Sequence, residues 1–130
     1  MNDPISNLII KIKNASARGI ESISFPYSKL SYAVAELLVK EGYIVSVEKK
    51  GKKVIKTMDI VIAYGEDKSP KVTDVQRVSK LSKRVYAGSK DLKAVRSGYG
   101  LLVLTTPLGV ISDKTAKKAK VGGEVLFKIW

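Results

Sequence analysis

The residues in this chain best suited to contact chemistry are small and mostly uncharged. Thr105 and Thr106 end the apolar run Leu101–Leu104 and lead into Pro107 and Gly109, so a buried strand delivers two hydroxyls to one rim of a sheet. Further on, Gly122-Gly123-Glu124 offers backbone without side-chain bulk beside one acid. Between them a short basic helix is predicted over Asp113–Lys120, capped by Ser112 and ended by a tight turn at Gly122-Gly123. Hydroxyls and glycines held next to a basic helix suit close approach to sugar and phosphate. Tyr86, set among Arg84, Gly88, Ser89 and Lys90, has two readings. It stacks on a base or lies along a ribose, or it is a half-buried strand tyrosine.

Composition narrows the chemistry further. The 130 residues contain no cysteine and no histidine, which removes disulfides, thiol nucleophiles, the usual zinc ligands and the commonest general base. Cofactors are expected to be none. Lys and Arg number 24 against 12 acids, a formal charge of +12 that points to a polyanionic partner. The second half, residues 66–130, has 14 basic and 6 acidic groups against 10 and 6 in residues 1–65, so it is the better anion-binding candidate. No apolar run reaches the roughly 20 residues that span a bilayer, and the first residues lack a secretory pattern. A soluble, cytoplasmic protein without membrane partners is expected.

Two lobes of elements are predicted to hold these groups. Asp3-Pro4 fits the start of a helix whose stripe is Ile5, Leu8, Ile9 and Ile12, ending at Gly19. Its other face carries Asn7, Lys11, Asn14 and Arg18, which is either solvated or in contact with phosphates. Ser22–Phe25 reads as a strand, and Ser28 caps a second helix running to Glu41 with Gly42 as its stop. Lys29 at that helix start is either part of a simple cap or an RNA contact. Tyr43–Val47 and Val54–Tyr64 alternate as strands around the lysine-rich turn Lys49–Lys53. GEDKSP, residues 65–70, carries the clearest linker signal.

In the second half, Val72–Val78 and Arg84–Ala87 read as strands, and residues 91–95 as a helical turn. Ser97-Gly98-Tyr99-Gly100 reads as a turn into the strand at Leu101, and a closing strand starts at Glu124. There, strict alternation places Val125, Phe127 and Ile129 on one face and Leu126, Lys128 and Trp130 on the other. The fold class is therefore α/β in the α+β sense, with two small lobes. Residues 1–65 form a helix-strand-helix-strand-strand lobe and 71–130 a mostly antiparallel β lobe with a short helix, joined by the linker 66–70.

From end to end the chain resembles the bacterial family of the eighth protein of the small ribosomal subunit. The resemblance is carried by Asp3-Pro4, Lys13-Asn14-Ala15, Pro26-Tyr27-Ser28-Lys29, Glu41-Gly42-Tyr43-Ile44, Arg77-Val78-Ser79-Lys80 and Arg84-Val85-Tyr86. It is most specific in the final segment, where Gly100, Thr105, Thr106, Gly109, Val110, Asp113, Ala116, Lys117, Gly122, Gly123, Glu124 and Trp130 fall in the family's order. The resemblance implies a structural, primary rRNA-binding protein that binds the central domain of small-subunit rRNA early and helps assemble the platform. It implies two α/β lobes, the second gripping an irregular RNA hairpin through its minor groove and the first touching further rRNA, which favours the contact readings of Lys29 and Tyr86; Lys11 and Asn14 are expected contacts from their helix face alone. Neighbouring small-subunit proteins are implied partners, as is, in some bacteria, the protein's own messenger RNA. By position the resemblance puts the hydroxyl loop at Thr105-Thr106-Pro107, the stacking ring at Tyr86, a second loop at Gly122-Gly123-Glu124, and phosphate partners at Lys83, Arg84 and Lys90. This chain departs from the family at Pro107 and Leu108, usually a hydroxyl residue and often a lysine, and at Leu81-Ser82, commonly Pro-Gly.

The A-form minor groove is shallow and displays 2′-hydroxyls, which short side chains on a fixed frame can reach. Glu124 is expected to accept hydrogen bonds from loop N–H groups, a base amino group or a ribose hydroxyl; otherwise it is an ordinary surface acid. Three other classes are weighed against this reading. A nuclease using Asp59, Asp74 and Asp113 as metal ligands lacks a compact motif and a histidine base, so an enzyme is not expected. A basic protein-interaction module or membrane-surface binder lacks a cationic and aromatic helix face. A translational repressor acting on messenger RNA would use the same groups.

Overall fold

The computed structural model describes residues 3–54, 56–80, 83–92 and 100–130. Among them the chain divides into two compact units, Pro4–Thr73 and Asp74–Trp130 together with Asp3. The predicted features at Leu81-Ser82, at residues 93–95 and at Ser97-Gly98-Tyr99 lie outside the described residues.

In the first unit, α1 (Pro4–Arg18) buries Ile5, Leu8, Ile9, Ile12 and Ala15, the stripe expected from 3.6-residue spacing. Gly19, at φ +71°, then leaves the helix in the left-handed region. β1 (Ser22–Pro26), β2 (Ile44–Lys50) and β3 (Thr57–Ile62) form an antiparallel sheet in the order β1-β3-β2. Central β3 buries Met58, Ile60 and Ile62 in strict alternation. α2 (Lys29–Lys40) starts at Ser28, whose Oγ accepts from the Ser31 N–H at 3.1 Å, and buries Val34, Ala35, Leu37 and Leu38. Tyr64 Oη donates to the carbonyls of Ala15 and Ile20, tying the end of α1 to the chain beyond β3. GEDKSP is a closed turn: Gly65 N–H donates to Ser69 O at 2.8 Å, and the Asp67 carboxylate accepts from Ser69 N and Oγ. The Ser69 hydroxyl and N–H hold the Asp67 carboxyl below its ordinary range.

The second unit is built on one long antiparallel strand. β4 (Val75–Arg77), β5 (Tyr86–Ala87), β6 (Leu101–Thr106), β7 (Gly109–Ser112) and β8 (Gly123–Ile129) form a sheet in the order β4-β8-β6-β7, with β5 also paired to β8. A single 3₁₀ turn, Ser89–Asp91, follows β5, and α3 (Asp113–Ala119) packs beside β6 and β7. Leu92, Leu102, Leu104, Ala116 and Val125 form a buried cluster, with Trp130 and Ile111 packed against it. Ser112 caps α3, and Asp113, only 2% exposed, accepts from the Leu102 N–H at 3.3 Å.

Two expectations for this unit are corrected. Alternation along β8 is broken, because the register with β6 slips between Val103↔Phe127 and Leu104↔Val125, leaving Leu126 as an extra residue. Val125 thereby joins the cluster containing Leu104 and Trp130 rather than the face of Phe127 and Ile129. The end of α3 is also not made by Gly122-Gly123. Lys120 takes the left-handed conformation at φ 57°, and its N–H bonds back to Ala116 and Lys117 carbonyls. The two glycines have another purpose, which lies at the site.

Candidate nucleic-acid interface

Strand register gathers the chemically useful residues into one row. Tyr86 pairs with Glu124, Glu124 pairs with Thr105, and Thr105 pairs with Val110. Cross-strand partners project from the same face, so ring, carboxylate and hydroxyl stand side by side on β5, β8 and β6. Tyr86 is 70% exposed, which decides between its two sequence readings: it is not a half-buried strand residue.

Short contacts fix the row. Ser79 is buried, and its Oγ accepts from Val85 N at 2.8 Å and donates to Val85 O at 3.2 Å. Val85 O in turn accepts from Val125 N at 2.8 Å, and Lys80 and Lys83 exchange backbone hydrogen bonds. The segment carrying Arg84 and Tyr86 is therefore held along β8 from both sides. Arg84 Nη1 donates to Glu124 Oε2 at 3.0 Å, with side chains 48% and 12% exposed. That hydrogen bond, and then the charge of Glu124, push the Arg84 guanidinium above its ordinary value, with a smaller contribution from Tyr86.

Thr106 alternates to the opposite face from Thr105. Its Oγ1 donates to Gly109 O at 3.0 Å and accepts from Leu108 N at 3.1 Å, closing the turn that holds Pro107 and the exposed Leu108. Gly109, at φ +106°, completes that turn. Gly122 and Gly123 are glycines because strands pass against them. A Cβ on Gly122 would lie 2.4 Å from Ala87 O, and one on Gly123 would lie 2.1 Å from Thr105 O. Their missing bulk is filled by the protein's own β5 and β6 segments, so they set how near Tyr86 and Thr105 come to Glu124.

With this geometry in place, comparison with known proteins gives one answer. Residues 3–130 match the family described as ribosomal protein S8. The chain belongs to the ribosomal protein S8 family. It is 44% identical over 131 residues to small ribosomal subunit protein uS8 of Lachnoclostridium phytofermentans, covering 100% of this chain and 98% of that one. It is 42% identical to the uS8 protein of Mycoplasmopsis agalactiae and 44% identical to that of Caulobacter vibrioides, each with the same coverage. The S8 family is one of structural ribosomal proteins, not enzymes, which bears out the non-enzymatic expectation. Among the described residues no group of three or more acids could hold a metal, and no helix is long and apolar enough to cross a membrane.

The remaining expected contact residues are dispersed. Lys83 and Lys90 flank the row, both exposed and neither in an ion pair with a described residue. Lys11, Asn14 and Lys29 belong to the unit Pro4–Thr73 and are exposed there. Lys11 Nζ donates to Ser24 O at 2.7 Å, so part of its hydrogen-bonding capacity serves β1. Of the lysines expected in the basic turn, Lys49 lies in β2, where its Nζ is 4.6 Å from the Tyr32 ring centroid, a cation–π contact. Sequence reasoning missed the pairing of Arg84 with Glu124, which joins residues 40 apart along the chain, and Ser79, whose contacts with Val85 span only six residues but follow no helical or strand period. It also missed Arg77, whose Nε donates to Asp3 Oδ2 at 3.1 Å and whose Nη1 donates to the carbonyl of the bulged Leu126.

Proposed function

We propose that the chain is a structural constituent of the small subunit of the cytoplasmic ribosome and a primary rRNA-binding protein. It attaches early to the central domain of small-subunit rRNA and helps assemble the platform, with other small-subunit proteins beside it. The observation that carries this reading is the row Tyr86–Glu124–Thr105 on a chain of charge +12. Tyr86 supplies a stacking surface for an unpaired base, Thr105 exchanges a hydrogen bond with a ribose hydroxyl, and Glu124 accepts from a base amino group or 2′-hydroxyl. The backbone at Gly122-Gly123 and the turn around Pro107 border the groove, and Lys83 and Lys90 neutralise flanking phosphates. Lys11, Asn14 and Lys29 serve further rRNA. Cations supply most of the affinity, whereas the row supplies the choice of hairpin.

Hydroxyl-radical footprinting of the protein on its own small-subunit RNA at two salt concentrations tests this. Protection of an irregular central-domain hairpin should persist at the higher salt while scattered protections fade. Uniform protection that fades everywhere together would refute site-specific binding.

A further inference from the structure

We infer that Arg84 is a positioning residue for Glu124 rather than a phosphate contact, and that the pair presents Glu124 Oε1 to a neutral hydrogen-bond donor on the RNA. This rests on the RNA-binding reading above. The Glu124 side chain is 12% exposed, and a carboxylate so far out of water needs a compensating cation. Arg84 provides it at 3.0 Å through Oε2, and no described residue donates to Oε1. The segment that carries Arg84 is itself pinned at Val85 by Ser79, so the backbone from which the guanidinium reaches Glu124 is fixed. The pair has no net charge. A phosphate approaching this guanidinium would also approach the carboxylate bonded to it, and the repulsion cancels much of the attraction.

The neighbours decide what reaches Oε1. Tyr86 and Thr105 are its cross-strand partners on either side, so an incoming group lies over a ring and beside a hydroxyl. An exocyclic amine of an unpaired base or a ribose 2′-hydroxyl meets those demands; a phosphate oxygen does not, because carboxylate and phosphate are both acceptors. Lys83 is adjacent in sequence, exposed and in no ion pair with a described residue, and it is the phosphate contact of this segment.

The charge-neutral double variant Arg84→Gln/Glu124→Gln separates the two roles. Affinity for the central-domain hairpin is measured across a potassium chloride series for the wild type, both single variants, the double variant and Lys83→Gln. Lys83→Gln should flatten the slope of log affinity against log salt by about 0.7 to 0.9, the loss of one phosphate contact. The double variant should keep the wild-type slope while its affinity falls about tenfold, and the two single losses should be strongly non-additive. Arg84→Gln alone should bind no better than the double variant, because it leaves a carboxylate unpaired beside the RNA. A double-variant slope reduced as much as that of Lys83→Gln, or additive single effects, overturns the inference. A wild type that does not prefer the hairpin over unstructured RNA instead overturns the RNA-binding reading itself, and the inference with it. Trp130 fluorescence verifies that each variant is folded.

Discussion

Replacing Gly123 with alanine is the sharpest structural test of the row. The new Cβ would sit 2.1 Å from Thr105 O, and 3.0 Å from Thr105 C and from Thr106 Cγ2. Carbon and oxygen in van der Waals contact need more than 3 Å, so β6 and β8 must part by about 1 Å at the row. Overpacking of this kind costs about 1–3 kcal/mol, and a weakened ladder hydrogen bond adds about 1. The unit Asp74–Trp130 should therefore lose about 2–4 kcal/mol, a large share of the 5–15 or so typical of a domain. Trp130, the chain's one tryptophan, packs on the cluster beneath the row, so its fluorescence in a urea titration reports this unit. RNA affinity should fall as well, because Thr105 moves away from Glu124. A urea midpoint equivalent to a loss of less than about 0.5 kcal/mol would show that the strands do not depend on that close approach, and the reasoning would fail.

Three further outcomes follow from the same geometry. Tyr86→Ala should weaken hairpin binding by about 1–3 kcal/mol in a filter-binding assay, the range for a lost base stack, while thermal stability stays unchanged because the ring is exposed. Ser79→Ala removes the group that satisfies Val85 N–H and should cost about 1–3 kcal/mol in urea unfolding; RNA binding should weaken too, since Val85 lies between Arg84 and Tyr86. Lys120→Gly should raise the unfolding free energy in a urea titration by about 1 kcal/mol, because the left-handed conformation at φ 57° that ends α3 costs a lysine about that much and a glycine almost nothing.

Much of the fold was legible because the signals are local. Proline at the start of α1, Ser28 and Ser112 as caps, and the helical stripe of Ile5, Leu8, Ile9 and Ile12 each act within one or two turns. Reading stopped where the physics became non-local. Alternation along β8 predicts the wrong partners for Val125 because the bulge at Leu126 depends on β6, which no period within β8 can reveal. Gly122-Gly123 looked like a turn because glycine's commonest use is backbone freedom, yet neither has the positive φ such a turn would need. Their real constraint comes from Ala87 and Thr105, on two different strands. The candidate site was legible as residue types and not as connections: Tyr86, Thr105 and Glu124 stood out singly, whereas their alignment in one row and the pairing of Glu124 with Arg84 required the register of β5 and β6 on β8.

On the proposed RNA-binding function, those connections reconcile selectivity with so much positive charge. Most of the basic excess is electrostatically long-ranged and attracts any polyanion, and salt weakens it uniformly. The row works differently, since Tyr86 and Thr105 are neutral and Arg84 cancels Glu124. Its contribution to binding should vary little with salt and depend on how well each group is held before the RNA arrives. Thr105 has one side-chain torsion and Tyr86 two, and Ser79 and the glycines fix the backbones beneath them. Little freedom remains to be lost on binding, so under the proposed function a modest number of contacts should discriminate between hairpins that the lysines cannot tell apart.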